Sequence, residues 1–108
     1  MDALQKDLAE YLNNHQGAMR DLLRRLVLIQ SGSRYKAGVD AVCREIYQWL
    51  EPLSLERRIV PQRAYGDLLI ASVPGGEAKR RILLAGHMDT IFPVDTAFCG
   101  WREDGRHF

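Results

Sequence analysis

The feature that most constrains the fold is an uninterrupted apolar run at residues 82–85, Ile-Leu-Leu-Ala, which ends at Gly86. A strand with one face in solvent alternates apolar and polar side chains, and this run does not alternate. It therefore predicts a strand that is covered on both faces, as at the centre of a sheet between helices. The predicted fold class is α/β, with N-terminal helices packed on the first strands of a mixed, mainly parallel sheet.

The 108 residues have the composition of one ordinary globular domain, with 46% hydrophobic and 27% charged residues. The net charge is only +1, and the basic residues form scattered pairs and one run, Lys79-Arg80-Arg81, so solvated faces are expected and not a nucleic-acid surface. No apolar stretch approaches the ~18 residues of a membrane span, and no secretory signal opens the chain. We therefore expect a cytoplasmic protein without membrane or nucleic-acid partners. Cys43 is predicted to be a buried free thiol and Cys99 to lie in a loop.

Apolar residues recur at helical spacing in three segments, which predicts helices over residues 3–14, about 18–30 and about 38–50. The second helix should be broadly buried and should end at Ser31-Gly32-Ser33. Trp49, near the end of the third helix, is expected to fill the core.

Period-two alternation predicts a half-exposed strand over residues 53–59, which Pro61 stops. A second strand is expected over 68–73, and the turn residues 74–77 should join it in a hairpin to 82–85. At the end of the chain, residues 104–105 predict a turn and 106–108 the start of a further strand.

Two side chains with metal or proton chemistry, His87 and Asp89, follow the apolar run. Ligand sites of α/β sheets lie beyond the carboxyl ends of strands, and residues two apart in extended backbone point to the same side. A neutral imidazole can bind a divalent metal through one nitrogen while a carboxylate accepts the other N–H and fixes the tautomer. The alternative is a hydrogen-bonded structural histidine, since His-x-Asp is a short pattern. His15 is expected to be a helix-terminal residue, and His107 a solvent-facing or sheet-edge one.

The wider string resembles the N-terminal part of the catalytic domain of the M20 family of zinc metallopeptidases and amidohydrolases, which includes glutamate carboxypeptidases and acetylornithine deacetylases. Its signature is a hydrophobic strand, then Gly-His-x-Asp-Thr and a nearby proline. The chain matches it at Gly86, His87, Asp89, Thr90 and Pro93. In addition, residues 26–33 look like the family's helix-to-loop segment, and Gly66-Asp67 stands where many members have Gly-Asn. The resemblance spans about residues 20–108, and "DTIFP" is most like the glutamate carboxypeptidase branch.

The resemblance implies hydrolysis of an amide bond in a small peptide or N-acyl amino acid by a pair of zinc ions that activates water. His87 would bind one zinc, and Asp89 would orient that histidine without binding the metal. In the family, the bridging aspartate, the general base, the other ligands and a dimerisation domain follow a later Tyr-Gly-x-Gly-type loop. We therefore expect residues 1–108 to be the N-terminal portion of the catalytic domain, lacking the dimerisation domain and inactive alone, within a longer enzyme that can form homo-oligomers.

Two alternatives from other classes stay open. The chain could be a non-catalytic truncated product or an association module that pairs through an exposed strand edge. A metallohydrolase of another fold, such as a phosphoesterase, would need an Asp-x-His order and a later Gly-Asp-His or Gly-Asn-His motif, and neither is present.

Overall fold

The computed structural model describes residues 1–77 and 80–107. In order along the chain, the helices and strands are α1 (Ala3–Asn14), α2 (Gln16–Val27), α3 (Lys36–Trp49), β1 (Glu56–Val60) and β2 (Leu68–Ser72). The chain divides into two compact units, one of residues 1–28 with the residues from Gly100 on, and one of residues 29–99. The combination of helices with a small sheet confirms the mixed class, and the only sheet within the described residues is antiparallel.

Helices α1 and α2 form the first unit together with the C-terminal residues. Asp2 caps α1 because its carboxylate accepts from the Gln5 N–H at 2.8 Å, while the Gln5 side chain accepts from the Asp2 N–H at 2.9 Å. His15 separates the two helices at the position predicted, and its ring stacks on Tyr11 with centroids 3.9 Å apart.

The expectation that α2 is broadly buried is wrong, since neither α1 nor α2 contains a buried residue. Their own unit otherwise holds only the segment from Gly100 on, which is too small to cover two amphipathic helices. The His107 backbone pairs with Asp104 in an isolated bridge at the turn predicted there. The last residue of the expected strand, Phe108, lies outside the described residues.

Helix α3 carries the core of the second unit. Val39, Val42 and Cys43 are buried, and Cys43 is only 1% exposed, which confirms the buried free thiol. Trp49 was expected in the core, but it is 41% exposed. The fully buried residues of α3 are confined to its first two turns, and the end of the helix is only partly covered.

Strands β1 and β2 pair antiparallel, from Glu56 opposite Ser72 to Val60 opposite Leu68. Pro61 ends β1, as predicted, since proline has no N–H to donate to the ladder. Arg57 fixes the hairpin to the end of α3, because its guanidinium donates to the Tyr47 carbonyl and lies 4.1 Å from the Tyr47 ring centroid.

The connection between the strands is held on α3 by charge and by close packing. The Lys36 ammonium lies 2.7 Å from the Asp67 carboxylate and 3.0 Å from that of Asp40. Asp67 also accepts from the Gln62 N–H at 2.8 Å, and these contacts lower the pKa of Asp67, with Lys36 the main cause. Gly66 is required here because a Cβ at this position would collide with Val39.

The predicted central strand at 82–85 is wrong for the described chain. These residues form no strand, and the side chains of Ile82, Leu83 and Leu84 are 91%, 87% and 91% exposed. The predicted hairpin between 68–73 and 82–85 is wrong for the same reason, since β2 pairs with β1. A strand has stable hydrogen bonds only beside a partner, and no described strand lies beside this run. Of the basic run 79–81, the arginines are exposed as expected, and Lys79 lies outside the described residues.

Candidate functional site

The candidate site forms where the loop before α3 meets the chain that follows the apolar run. Gly32 and Thr90 form an isolated parallel bridge. The Thr90 N–H donates to the Ser31 carbonyl at 2.8 Å, and the Ser33 N–H donates to the Thr90 carbonyl at 3.0 Å. This pair of backbone hydrogen bonds brings residues 31–33 and 89–90 together across more than fifty positions of sequence.

Glycine is needed at position 32 for this approach. A Cβ on Gly32 would lie 2.5 Å from the carbonyl oxygen of Phe92, which is closer than such atoms approach in proteins. Gly32 therefore lets a second backbone lie against the loop before α3. The prediction that the second helix ends at Ser31-Gly32-Ser33 is wrong, since α2 ends at Val27. Ser31, on the inner side of this contact, is buried.

Asp89 is held by the hydroxyl of Ser33. Ser33 Oγ donates to Asp89 Oδ2 at 2.5 Å and lies 3.1 Å from the Thr90 carbonyl. This hydrogen bond is the main reason that the pKa of Asp89 is lowered; the neighbouring His87 side chain contributes less. The side chain stays 42% exposed, so Asp89 is an ionised carboxylate in contact with water and fixed on one oxygen.

His87 lies against the other side of Asp89. Its Nδ1 is 2.8 Å from the Asp89 carbonyl oxygen and 3.3 Å from Asp89 Oδ1. Because both neighbours are acceptors, the neutral ring carries its proton on Nδ1, which leaves Nε2 with a lone pair. The side chain is 83% exposed, so that nitrogen is accessible to a ligand. The structure thus brings together the two residues that the sequence singled out, His87 and Asp89.

The chemistry of these two residues is compatible with one ligand of a zinc ion, the His87 imidazole, and a carboxylate that contacts its other nitrogen. An imidazole whose second nitrogen contacts a carboxylate and a carbonyl is the usual form of a zinc-binding histidine. Within residues 1–77 and 80–107, no three histidine, cysteine, aspartate or glutamate side chains lie grouped so that they could hold a metal ion. His15 and His107 belong to the other compact unit.

The sequence prediction missed Ser33 as a site residue. Ser31-Gly32-Ser33 was interpreted as the end of a helix and as part of the family-like segment, and that likeness was the signal that could have assigned it a place beside the histidine. Ser33 fixes the carboxylate that lies 3.3 Å from His87 Nδ1, so it acts on that imidazole nitrogen through Asp89.

A cavity of about 430 Å³ adjoins the Ser33–Asp89 hydrogen bond. Residues 32–35 and residues 90–94 line it, so the two segments that form the parallel bridge also form its walls.

No helix in the described parts of the chain has the length and apolar character needed to cross a membrane. Comparison of the chain with protein-family models, with curated proteins and with solved structures gave no match.

Proposed function

We propose that the chain supplies a zinc ligand, His87, and its orienting carboxylate, Asp89, to an M20-type hydrolase that cleaves an amide bond in small peptides or N-acyl amino acids. The observation that supports this proposal is the Ser33–Asp89–His87 relay, in which a serine holds a carboxylate and the carboxylate lies on the imidazole Nδ1. The resemblance of residues 86–93 to the family signature gives the reaction class.

Each residue of the relay has a distinct part in the proposal. Ser33 holds the Asp89 carboxylate in place and lowers its pKa. Asp89 holds the proton of His87 on Nδ1, and Nε2 is left to bind the metal. A bound zinc ion would polarise the amide carbonyl and lower the pKa of a water molecule.

The proposal requires further ligands, because zinc takes at least three protein ligands in a catalytic site. They would come from polypeptide beyond the described residues, either another part of a longer chain or a second copy. In that setting the three helices and the hairpin would pack on a mainly parallel sheet of a zinc-peptidase-like catalytic domain in the cytoplasm, with two zinc ions in the complete site.

Calorimetric titration of the chain with zinc at neutral pH tests the proposal in the arrangement where a second copy supplies the other ligands. His87→Ala should abolish the zinc-binding step, and Asp89→Asn should weaken it by about 10- to 100-fold. His107→Ala is the matched control, since His107 is also exposed and lies in the other unit, and it should leave binding unchanged. Tight, stoichiometric zinc binding that His87→Ala does not alter would contradict the assignment, as would equal losses in both histidine variants.

A second candidate function is association through the apolar run, which the high exposure of Ile82, Leu83 and Leu84 favours. Sedimentation velocity at micromolar concentration should then show dimers that Leu83→Lys dissociates. Val73→Lys serves as the control because Val73 is also highly exposed but lies outside the run. A monomeric wild-type chain would exclude this candidate.

A further inference from the structure

We propose that the cavity between residues 32–35 and 90–94 binds a small carboxylate with a flat apolar body, such as an arylalkanoate, with Arg34 as the residue that recognises the carboxylate. This inference concerns a binding site and does not depend on zinc or on hydrolysis.

The size and walls of the cavity suit a small organic molecule. Its volume of about 430 Å³ falls in the usual range of ligand pockets, roughly 300–1,000 Å³. Most of the wall is apolar: Tyr35, Ile91, Phe92, Pro93 and Val94 line it. The Phe92 ring stacks on the Phe98 ring, with centroids 5.3 Å apart, so the aromatic wall extends onto a second, exposed ring.

The cavity lining carries a positive charge, which favours an anionic ligand. Arg34 is the sole charged residue among the lining residues, and no carboxylate is among them. Within the described chain, no hydrogen bond or ion pair occupies the Arg34 guanidinium. A guanidinium in this state has all of its donors available for a carboxylate, which it can bind through two parallel hydrogen bonds.

Two neighbouring features determine how such a ligand would lie. Tyr35 is the N-terminal flanking residue of α3 and lines the cavity, so the positive end of that helix adds to the attraction of an anion at the Arg34 side. Asp89, which accepts from the lining residue Ser33, is not part of the lining, and its charge repels a second carboxylate near Ser33. The apolar body is therefore expected against Phe92 and Pro93, with the carboxylate on Arg34.

The test uses 3-phenylpropanoate as the probe and the complete chain as the protein, without added metal. In two-dimensional NMR titrations, amide shifts should concentrate in residues 32–35 and 90–94. Arg34→Gln should weaken binding by about tenfold or more, the usual effect of losing a charge-assisted hydrogen bond. Arg63→Gln is the matched control, because Arg63 is exposed in the loop after β1 and is not part of the cavity lining.

Neutral 3-phenylpropanamide distinguishes carboxylate recognition from simple apolar binding, and it should bind at least about tenfold more weakly than the acid. His87→Ala should bind the probe as the wild type does, so failure of the zinc proposal and failure of this one give different results. Equal affinity for the acid and the amide, equal losses in Arg34→Gln and Arg63→Gln, or no shifts at the cavity with millimolar probe would each overturn the inference.

Discussion

The substitution Gly32→Ala tests whether the approach of the two segments builds the candidate site. The added Cβ would lie 2.5 Å from the Phe92 carbonyl oxygen, roughly 0.8 Å inside the closest usual carbon–oxygen contact of about 3.3 Å. The obstacle is backbone, so no side-chain rotation relieves it. Residues 90–92 must move away, which stretches the two hydrogen bonds that join them to Ser31 and Ser33.

The cost follows from those two hydrogen bonds. Each contributes about 0.5–1.5 kcal/mol to stability, and the alanine offsets about 0.4–1 kcal/mol by restricting the unfolded chain. The net loss is centred on about 1.3 kcal/mol, which for a domain of this size lowers Tm by roughly 5–10 °C. Separation from Ser33 should also raise the pKa of Asp89 toward its ordinary value, because the Ser33 hydroxyl is the main cause of its depression.

Thermal unfolding followed by circular dichroism measures the first effect, and the carboxyl ¹³C shift of Asp89 across a pH titration measures the second. Gly86→Ala is the control next to His87, because a Cβ at Gly86 meets nothing within 4 Å and should change stability by less than about 0.5 kcal/mol. The reasoning is refuted if Gly32→Ala unfolds at the same temperature as Gly86→Ala, or if the pKa of Asp89 is the same in both.

Two further predictions concern single groups in the second unit. Ser33→Ala should raise the pKa of Asp89 in a ¹³C titration, while Ser54→Ala, at an exposed position, leaves it unchanged. The folded-state pKa of Asp89 is depressed, so its stabilising effect is present above the unfolded-state pKa and is lost as pH falls through the folded-state pKa. The stability of Ser33→Ala should therefore depend less on pH below about 4 than that of the wild type. Cys99 should react with a thiol reagent at neutral pH far faster than Cys43, since Cys43 is buried and burial raises its pKa; equal rates in mass spectrometry would contradict this.

The parts of the fold that the sequence predicted well are those set by local interactions. Helical spacing located α1 and the buried face of α3, because side chains three and four apart share a face whatever else the chain does. Pro61 marked the end of β1 for an equally local reason, the missing N–H.

Predictions of burial that depended on a second strand or helix covering the residues were wrong. An apolar run without alternation indicates that both faces should be covered, but it supplies neither the neighbouring strands nor the helices that would cover them. Residues 82–84 are therefore among the most exposed large apolar side chains described in the second unit, although their composition favours a central strand. Trp49 and α2 show the same limit, since amphipathicity marks the face that could be buried and not the element that covers it.

The structure positions His87 and Asp89 differently from the strand end that the sequence predicted. His87 and Asp89 were expected to be functional because they follow a predicted central strand and because residues 86–93 resemble the M20 signature; the strand is absent from the described chain. They are nevertheless positioned, because Ser33 holds Asp89 by its side chain and Thr90 by its backbone N–H. A contact over this sequence separation cannot be inferred from periodicity; only the requirement for glycine at position 32, between two serines, leaves a trace in the sequence. The loop before α3 therefore does the positioning that the strand end was expected to do, and substitutions in residues 31–33 should affect His87 more than substitutions in residues 82–85.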